Sequence, residues 1–309
     1  MSASSNILPE SAAVGAAGYK IAVTQPFYWS VRRELWENRF LYIAPLIVAA
    51  VELFGFLVSS IGLPERRRAI LLLGPAKARA GIEAPYDIAA IMLILTAFVV
   101  GFFYCLDALY GERRERSILF WKSLPISDRT TVLSKASVPL VVLPLVAFAT
   151  IVATQFVMLL WTSVLLISHG MSPASTWTHL PLIQNSFVLL YGLGAIAAWH
   201  APIYGWALLV SGWVRRATFL WAVIPILAIG IFEKITFNTS YFLVLVKDRL
   251  LGFAPNAFAF EPNRGVTIDS LMQLTPVRYL AAPGLWLGLL FAAVCIAAAI
   301  RLRRYRGPL

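Results

Sequence analysis

Six long apolar runs constrain this chain more than anything else in its sequence. They cover roughly Phe40–Leu63, Tyr86–Leu109, Val138–Ile167, Ile183–Trp213, Ala217–Phe232 and Leu280–Ile300. A helix needs about 20 such residues to cross about 30 Å of hydrocarbon. Only helices and closed barrels satisfy their backbone groups there. These runs are continuous, without the alternation of ten-residue barrel strands, so helices are expected. Composition agrees: 60% of the residues are hydrophobic and 13% are charged, about half the charge of an ordinary soluble domain. So little charge excludes a water-soluble enzyme domain, a nucleic-acid module and a disordered tail. The fold class is an all-α integral membrane protein with six transmembrane helices. The fifth run is short, which fits a tilted or partly re-entrant segment, and no internal repeat is visible.

The charges set the orientation. Lys and Arg outnumber Asp and Glu by 26 to 15, a net charge of +11. In a membrane protein such an excess marks cytoplasmic segments lying against anionic lipid, and no nucleic-acid partner is expected. Basic residues cluster before the first run (Lys20, Arg32, Arg33, Arg39), between the second and third (Arg113 to Lys135) and at the C-terminus (Arg301 to Arg306). Both termini are therefore expected on the cytoplasmic side. One loop dissents: Arg66, Arg67, Arg68, Lys77 and Arg79 would lie outside, in a segment able to fold back as a short interfacial helix through Ile70–Leu73. Cys105 and Cys295 sit in apolar runs with no pairing framework and read as small buried hydrophobes. Residues 1–25 read as a flexible tail without the basic start and apolar core of a cleaved signal.

Two segments carry specific information. Residues 26–39, PFYWSVRRELWENR, begin with a proline suited to a first helical position. Phe27, Val31 and Leu35 share one face, Arg32, Arg33, Glu34 and Glu37 supply polar sides, and Tyr28, Trp29 and Trp36 suit the headgroup layer. An amphipathic interfacial helix follows, the alternative being a plain extension of the first span. In the segment 111–136, the charges Glu112–Arg116 run into the apolar block Ile118–Trp121. That block is too short to span and too apolar to leave in water. It packs either under the membrane domain or against another protein. Pro125 ends that helix, and Ser127 or Asp128 caps the next. The product is a short helix between two spans.

The combination WSVRRELWENRFLYIAPL and LYGERRERSILFWKSLPISDRTTVLSKA resembles the permease subunit of type 2 ABC exporters. In that family an interfacial helix precedes six spans, and a coupling helix between spans two and three docks on an ATP-binding subunit. The resemblance implies a homodimer or heterodimer of permeases in a bacterial inner membrane, in contact with lipid. It also implies docking contacts at Glu115, Ile118, Phe120, Trp121, Lys122, Pro125 and Asp128. Aromatic anchors flanked by charge are what interface hot spots consist of. The chain departs from the common pattern in its basic first outer loop and its long outer loop 233–279. That loop carries apolar runs, Tyr241–Val246 and Phe253–Phe260, suited to a packed cap or to the membrane surface.

No GxxxxGK[ST] loop occurs; Gly74–Gly81 has the wrong spacing. The chain is accordingly expected to bind no cofactor itself, with ATP and Mg on the partner subunit. Ionisable groups at membrane depth default to functional hypotheses. Glu52, near the middle of the first run, either lines the translocation path, pairs with a base from another helix or stays protonated. His200, before Pro202, is the second path candidate, or else satisfies a carbonyl that the proline frees. Glu233 reads as an interface residue. No HExxH, GxSxG or spaced acidic pair is present. The competing readings are a non-transporting scaffold or assembly factor and an intramembrane enzyme using Glu52 and His200.

Overall fold

The computed structural model describes residues 24–72, 74–119, 126–259 and 271–306. Within them the secondary structure is helical, joined by short turns and connections, with one isolated bridge between Phe258 and Leu274. Six helical stretches are long and apolar enough to cross a bilayer, so this is an all-α, multi-pass membrane protein. Both ends of the described chain, residues 24 and 306, lie at one end of the bundle, here the basic end; the other is the distal end.

Helix α1 (Thr24–Glu37) lies across the basic end, and a break at Asn38–Arg39 separates it from α2 (Phe40–Ser59). The expected interfacial helix therefore starts two residues earlier than proline placement suggested. Residues 1–23 of the expected tail lie outside the described residues. At the distal end α3 (Leu63–Leu71) begins well before Ile70 and includes only Ile70 and Leu71 of the expected fold-back helix; Leu73 lies outside the described residues. Next, α4 (Pro75–Ala108) runs 34 residues, about 51 Å at 1.5 Å per residue. It takes Lys77 and Arg79 out of the loop and onto its own first turns.

The chain turns at the basic end through α5 (Tyr110–Arg114), then rises as α6 (Asp128–Ser137) and α7 (Leu143–Ser168). A π-helical turn over Val138–Val142 joins α6 to α7. Pro139 lies in that turn, where its missing N–H removes an ordinary helical bond. Ser127 caps α6, accepting from the Thr130 backbone N–H at 3.1 Å. Distal α8 (Ala174–His179) leads into α9 (Leu182–Trp213), the central helix, which packs on α14 (Pro283–Tyr305), α4 and α7. Contact with α14 is close enough at Gly205 that a Cβ there would lie 3.0 Å from the Ala292 Cα.

Helix α10 (Thr218–Phe237) buries only Ala222 and Gly230 and exposes aromatic and aliphatic side chains around most of its surface. A helix apolar on nearly every side needs lipid or another protein around it. The sequence leaves the segment after it open between a packed cap and the membrane surface. Helix α11 (Tyr241–Leu251) folds back along α10 and lies on the bundle's surface, none of its residues buried. Glu233 makes that reversal, accepting from the backbone N–H groups of Tyr241 and Phe242 at 2.7 and 2.8 Å and from the Thr239 hydroxyl. Glu233 is thus a helix cap and not merely an interface residue. Gly230 gives α11 room, since a Cβ there would lie 2.5 Å from Leu243. Helix α11 ends beside Trp199 and His200, about 27 Å along α9 from Leu182. Helices α12 (Phe253–Ala257) and α13 (Pro276–Ala281) complete the distal packing around Trp199 and Tyr279.

Cys105 and Cys295 are buried and free, as small hydrophobes would be.

Candidate functional site

The most organised polar site lies at the basic end, where α4 breaks. The helix stops at Ala108, and the backbone N–H groups of Leu109 and Tyr110 both donate to the Ser211 hydroxyl on α9, at 2.9 and 2.8 Å. Ser211 is fully buried, so its oxygen satisfies two donors that a helix start leaves open. Helix α5 then carries Glu112 and Arg113 inward, both less than a tenth exposed. Arg116, at φ 59°, adopts the left-handed conformation that ends this turn.

Arg113 donates to the backbone carbonyls of Gly212 and Val214, at 2.8 and 3.2 Å, where α9 ends. A cation there complements the orphan carbonyls and the negative end of the helix dipole. Arg306, at the end of the last helix, donates to the neighbouring Trp213 carbonyl.

Glu112 reaches three other segments. Its carboxylate pairs with Lys135 of α6 at 3.2 Å, with Arg33 of α1 at 3.5 Å, and with Arg303 of α14. Lys135 also pairs with Glu34 at 2.9 Å, and Glu34 in turn accepts from Arg33 at 2.7 Å and from the Tyr104 hydroxyl at 2.8 Å. Arg303 completes the set with Asp128 at 3.1 Å. Three carboxylates thus face three cations in a largely dry pocket: Glu34 is 0% exposed and Lys135 is 3% exposed. Burial by itself would push the Glu34 carboxyl up; Lys135 and Arg33 outweigh it and hold Glu34 below the ordinary carboxylate value. A buried network of this kind contributes little net stability over well-packed apolar residues, but removing one member leaves a charge stranded. Its consequence is geometric, since it ties α1, α5, α6 and α14 together at one point.

Helix α1 therefore meets the bundle through Ser30 and Glu34, which are buried, with Val31 and Leu35 beside them. Tyr28, Trp29 and Trp36 remain exposed, and the Arg32 guanidinium lies over Trp29 and Trp36 at 5.1 and 4.7 Å.

The expected docking residues divide. Glu115 is exposed beside Arg114, and Leu119 is also exposed. Ile118 is 1% exposed, so of the two readings of the block Ile118–Trp121 it follows the inward one, packing after the left-handed turn at Arg116. Asp128 is engaged with Arg303, which makes it a structural partner first. Phe120, Trp121, Lys122 and Pro125 lie outside the described residues.

The two expected path residues are not brought together. Glu52 is half-buried on the packed stripe of α2, between Ala49 and Phe56, and has no hydrogen bond or ion pair among the described residues. His200 is buried and its Nε2 meets the Leu250 carbonyl of α11 at 3.1 Å. The carbonyl it satisfies is therefore on the returning helix and not on its own. Next to it, the Arg249 guanidinium lies 4.9 Å over Trp199 and donates to the Gly284 carbonyl.

Sequence reasoning placed Glu34 on a polar helix side and Glu112 in a charged cytoplasmic stretch, used Arg113, Lys135 and Arg303 only as markers of orientation, and passed over Ser211. Their partners are distant in sequence: 101 positions separate Lys135 from Glu34 and 191 separate Arg303 from Glu112. The only available signal was charge adjoining the ends of apolar runs. Among the described residues no group of His, Cys, Asp or Glu is placed to hold a metal ion. Comparison with family models, with characterised proteins and with solved structures finds no match.

Proposed function

We propose that this chain is the membrane-spanning permease subunit of a bacterial ABC exporter, worked by a separate ATP-binding subunit. One observation carries the reading: adjacent side chains in a single turn, Glu112 and Arg113, hold the ends of α1, α6, α9 and α14. A push on residues 111–119 would reach all four helices at once, because Glu112 and Arg113 are bonded to each of them. That is the mechanical requirement for receiving work from a soluble motor. Arg114, Glu115 and Leu119 form the exposed side of the turn and offer the motor a surface.

In this reading the basic end faces the cytoplasm of a bacterial inner membrane, which fits the positive-inside distribution. The distal connection Ser168–Leu182, which holds no Lys or Arg, faces outward. A second permease copy, or a related chain, completes the path. The apolar, little-buried surface of α10 supports contact with lipid or with that second chain. ATP and Mg belong to the motor. Closure of two motors would shift the turn and tilt the helices that it holds.

Co-expression with the ATP-binding subunit encoded beside its gene tests the proposal. The purified complex should hydrolyse ATP, and replacing Phe120 and Trp121 with Asp should abolish assembly while membrane insertion persists. If the doubly substituted chain assembles normally with its motor, the docking assignment fails.

A further inference from the structure

At the distal end, α2, α3, the start of α4, α7 and α8 line a half-open cavity of about 140 Å³. That is several times the roughly 30 Å³ share of a water molecule. Phe56, Leu63, Ile70 and Ile82 form its apolar wall, and Ser59, Tyr86, Thr162 and Thr176 bring hydroxyls to it. Two arginines, Arg66 and Arg67, complete the lining.

Arg67 is the unusual member. It is 7% exposed, yet no carboxylate pairs with it among the described residues. Its one hydrogen bond goes from Nη2 to the neutral Thr176 hydroxyl, and its Nε, shielded from solvent, has no partner. A buried guanidinium without an anion is costly. Among the other buried cations, Arg303 and Lys135 are matched to carboxylates, and Arg113 to two backbone carbonyls at the negative end of α9, whereas Arg67 has a single neutral hydroxyl. Tyr86 and Thr162 already bond one another at 3.1 Å, so the hydroxyl side is organised. Arg66 is exposed, its guanidinium lying over Gly62 at the cavity's edge.

We infer that this cavity is an anion-binding site whose ligand is a phosphate group with an apolar continuation. A guanidinium pair matches phosphate geometry through charge-assisted, bidentate bonds. The apolar wall suits the carbon attached to that phosphate, and the volume admits a headgroup phosphate but not a whole lipid. The site also accounts for the basic loop on the wrong side of the charge rule: at least two of its five cations serve a bound anion and not topology. The inference is independent of the transport reading.

The test uses full-length protein in nanodiscs of phosphatidylcholine with a minority of phosphatidylglycerol, and native mass spectrometry of the lipid retained. Phosphatidylglycerol should be kept about tenfold over phosphatidylcholine, because the choline ammonium cancels the phosphate charge beside the two guanidiniums and glycerol does not. Both Arg67→Gln and Arg66→Gln should lose that preference. Loss of a buried arginine risks misfolding, and Arg66→Gln, on an exposed side chain, keeps the test valid. A parallel arm adds inorganic phosphate to protein in neutral detergent and follows the unfolding temperature. Stabilisation by phosphate in the wild type alone, without phosphatidylglycerol retention, supports the site and assigns a soluble anion as its source. A wild type that responds to neither, or variants that respond equally, overturn the inference.

Discussion

Replacing Lys135 with Met is the sharpest perturbation of the basic-end network. Met matches the length of the lysine stem and removes only the ammonium. Lys135 is the cation shared by Glu34 at 2.9 Å and Glu112 at 3.2 Å, and Glu34 is fully buried. Without it, Glu34 keeps Arg33 and Glu112 keeps Arg303, but two carboxylates then face one another across a dry gap. Breaking a buried pair by removing one partner costs about 3–5 kcal/mol, between two and four orders of magnitude in the folding equilibrium. Glu34→Gln should cost less, because Lys135 retains Glu112. The double variant should then recover part of the loss, as coupled sites do. Acid unfolding adds a sign. Glu34 titrates below its ordinary 4.5, so its contribution is present above pH 4.5 and disappears as pH falls through the depressed value. The wild type should therefore lose stability in that acid window, and Glu34→Gln should lose less. Reversible unfolding of the purified protein in mixed SDS micelles measures each quantity. A Lys135→Met penalty under about 1 kcal/mol would show that the network is wet or already broken in solution, and the argument would fail.

Three further perturbations probe other joints. Ser211→Ala strands the backbone N–H groups of Leu109 and Tyr110, which should cost about 1–3 kcal/mol in the same unfolding assay. Gly205→Ala places a methyl 3.0 Å from the Ala292 Cα, so α9 and α14 must separate; a loss of about 1–3 kcal/mol is expected. Arg249→Ala removes the cation over Trp199 and the bond to Gly284, worth about 2 kcal/mol where desolvated. The same unfolding assay should show a loss of that size, while unchanged stability would mean that α11 is held by something else.

Much of the architecture was legible in one dimension because a bilayer imposes a one-dimensional rule. Length and apolarity fix where a helix spans, and the structure has six such helices in the expected order. Local chemistry was equally readable: Ser127 caps α6, and α1 forms before the first span. These features depend on neighbours within a few residues. Readings stay open where a residue's partner is far away. Ile118 takes the inward one of its two after the backbone reverses at Arg116, which propensity does not favour. His200 reads in the sequence as a path residue or as the partner of a carbonyl in its own helix, whereas the carbonyl it meets is on α11.

The sequence alone determined the number of spans, their alternation and the basic character of one end, since these follow from hydropathy and charge summed over short windows. Only the tertiary structure decided which charges are buried and paired. Glu112 and Glu115 are near neighbours in one charged stretch, yet the first joins three cations and the second lies exposed. Arg66 and Arg67 are adjacent, yet one is exposed and the other is enclosed without an anion. A charge's energy depends on what surrounds it in space, and that is set by helices brought together from opposite ends of the chain.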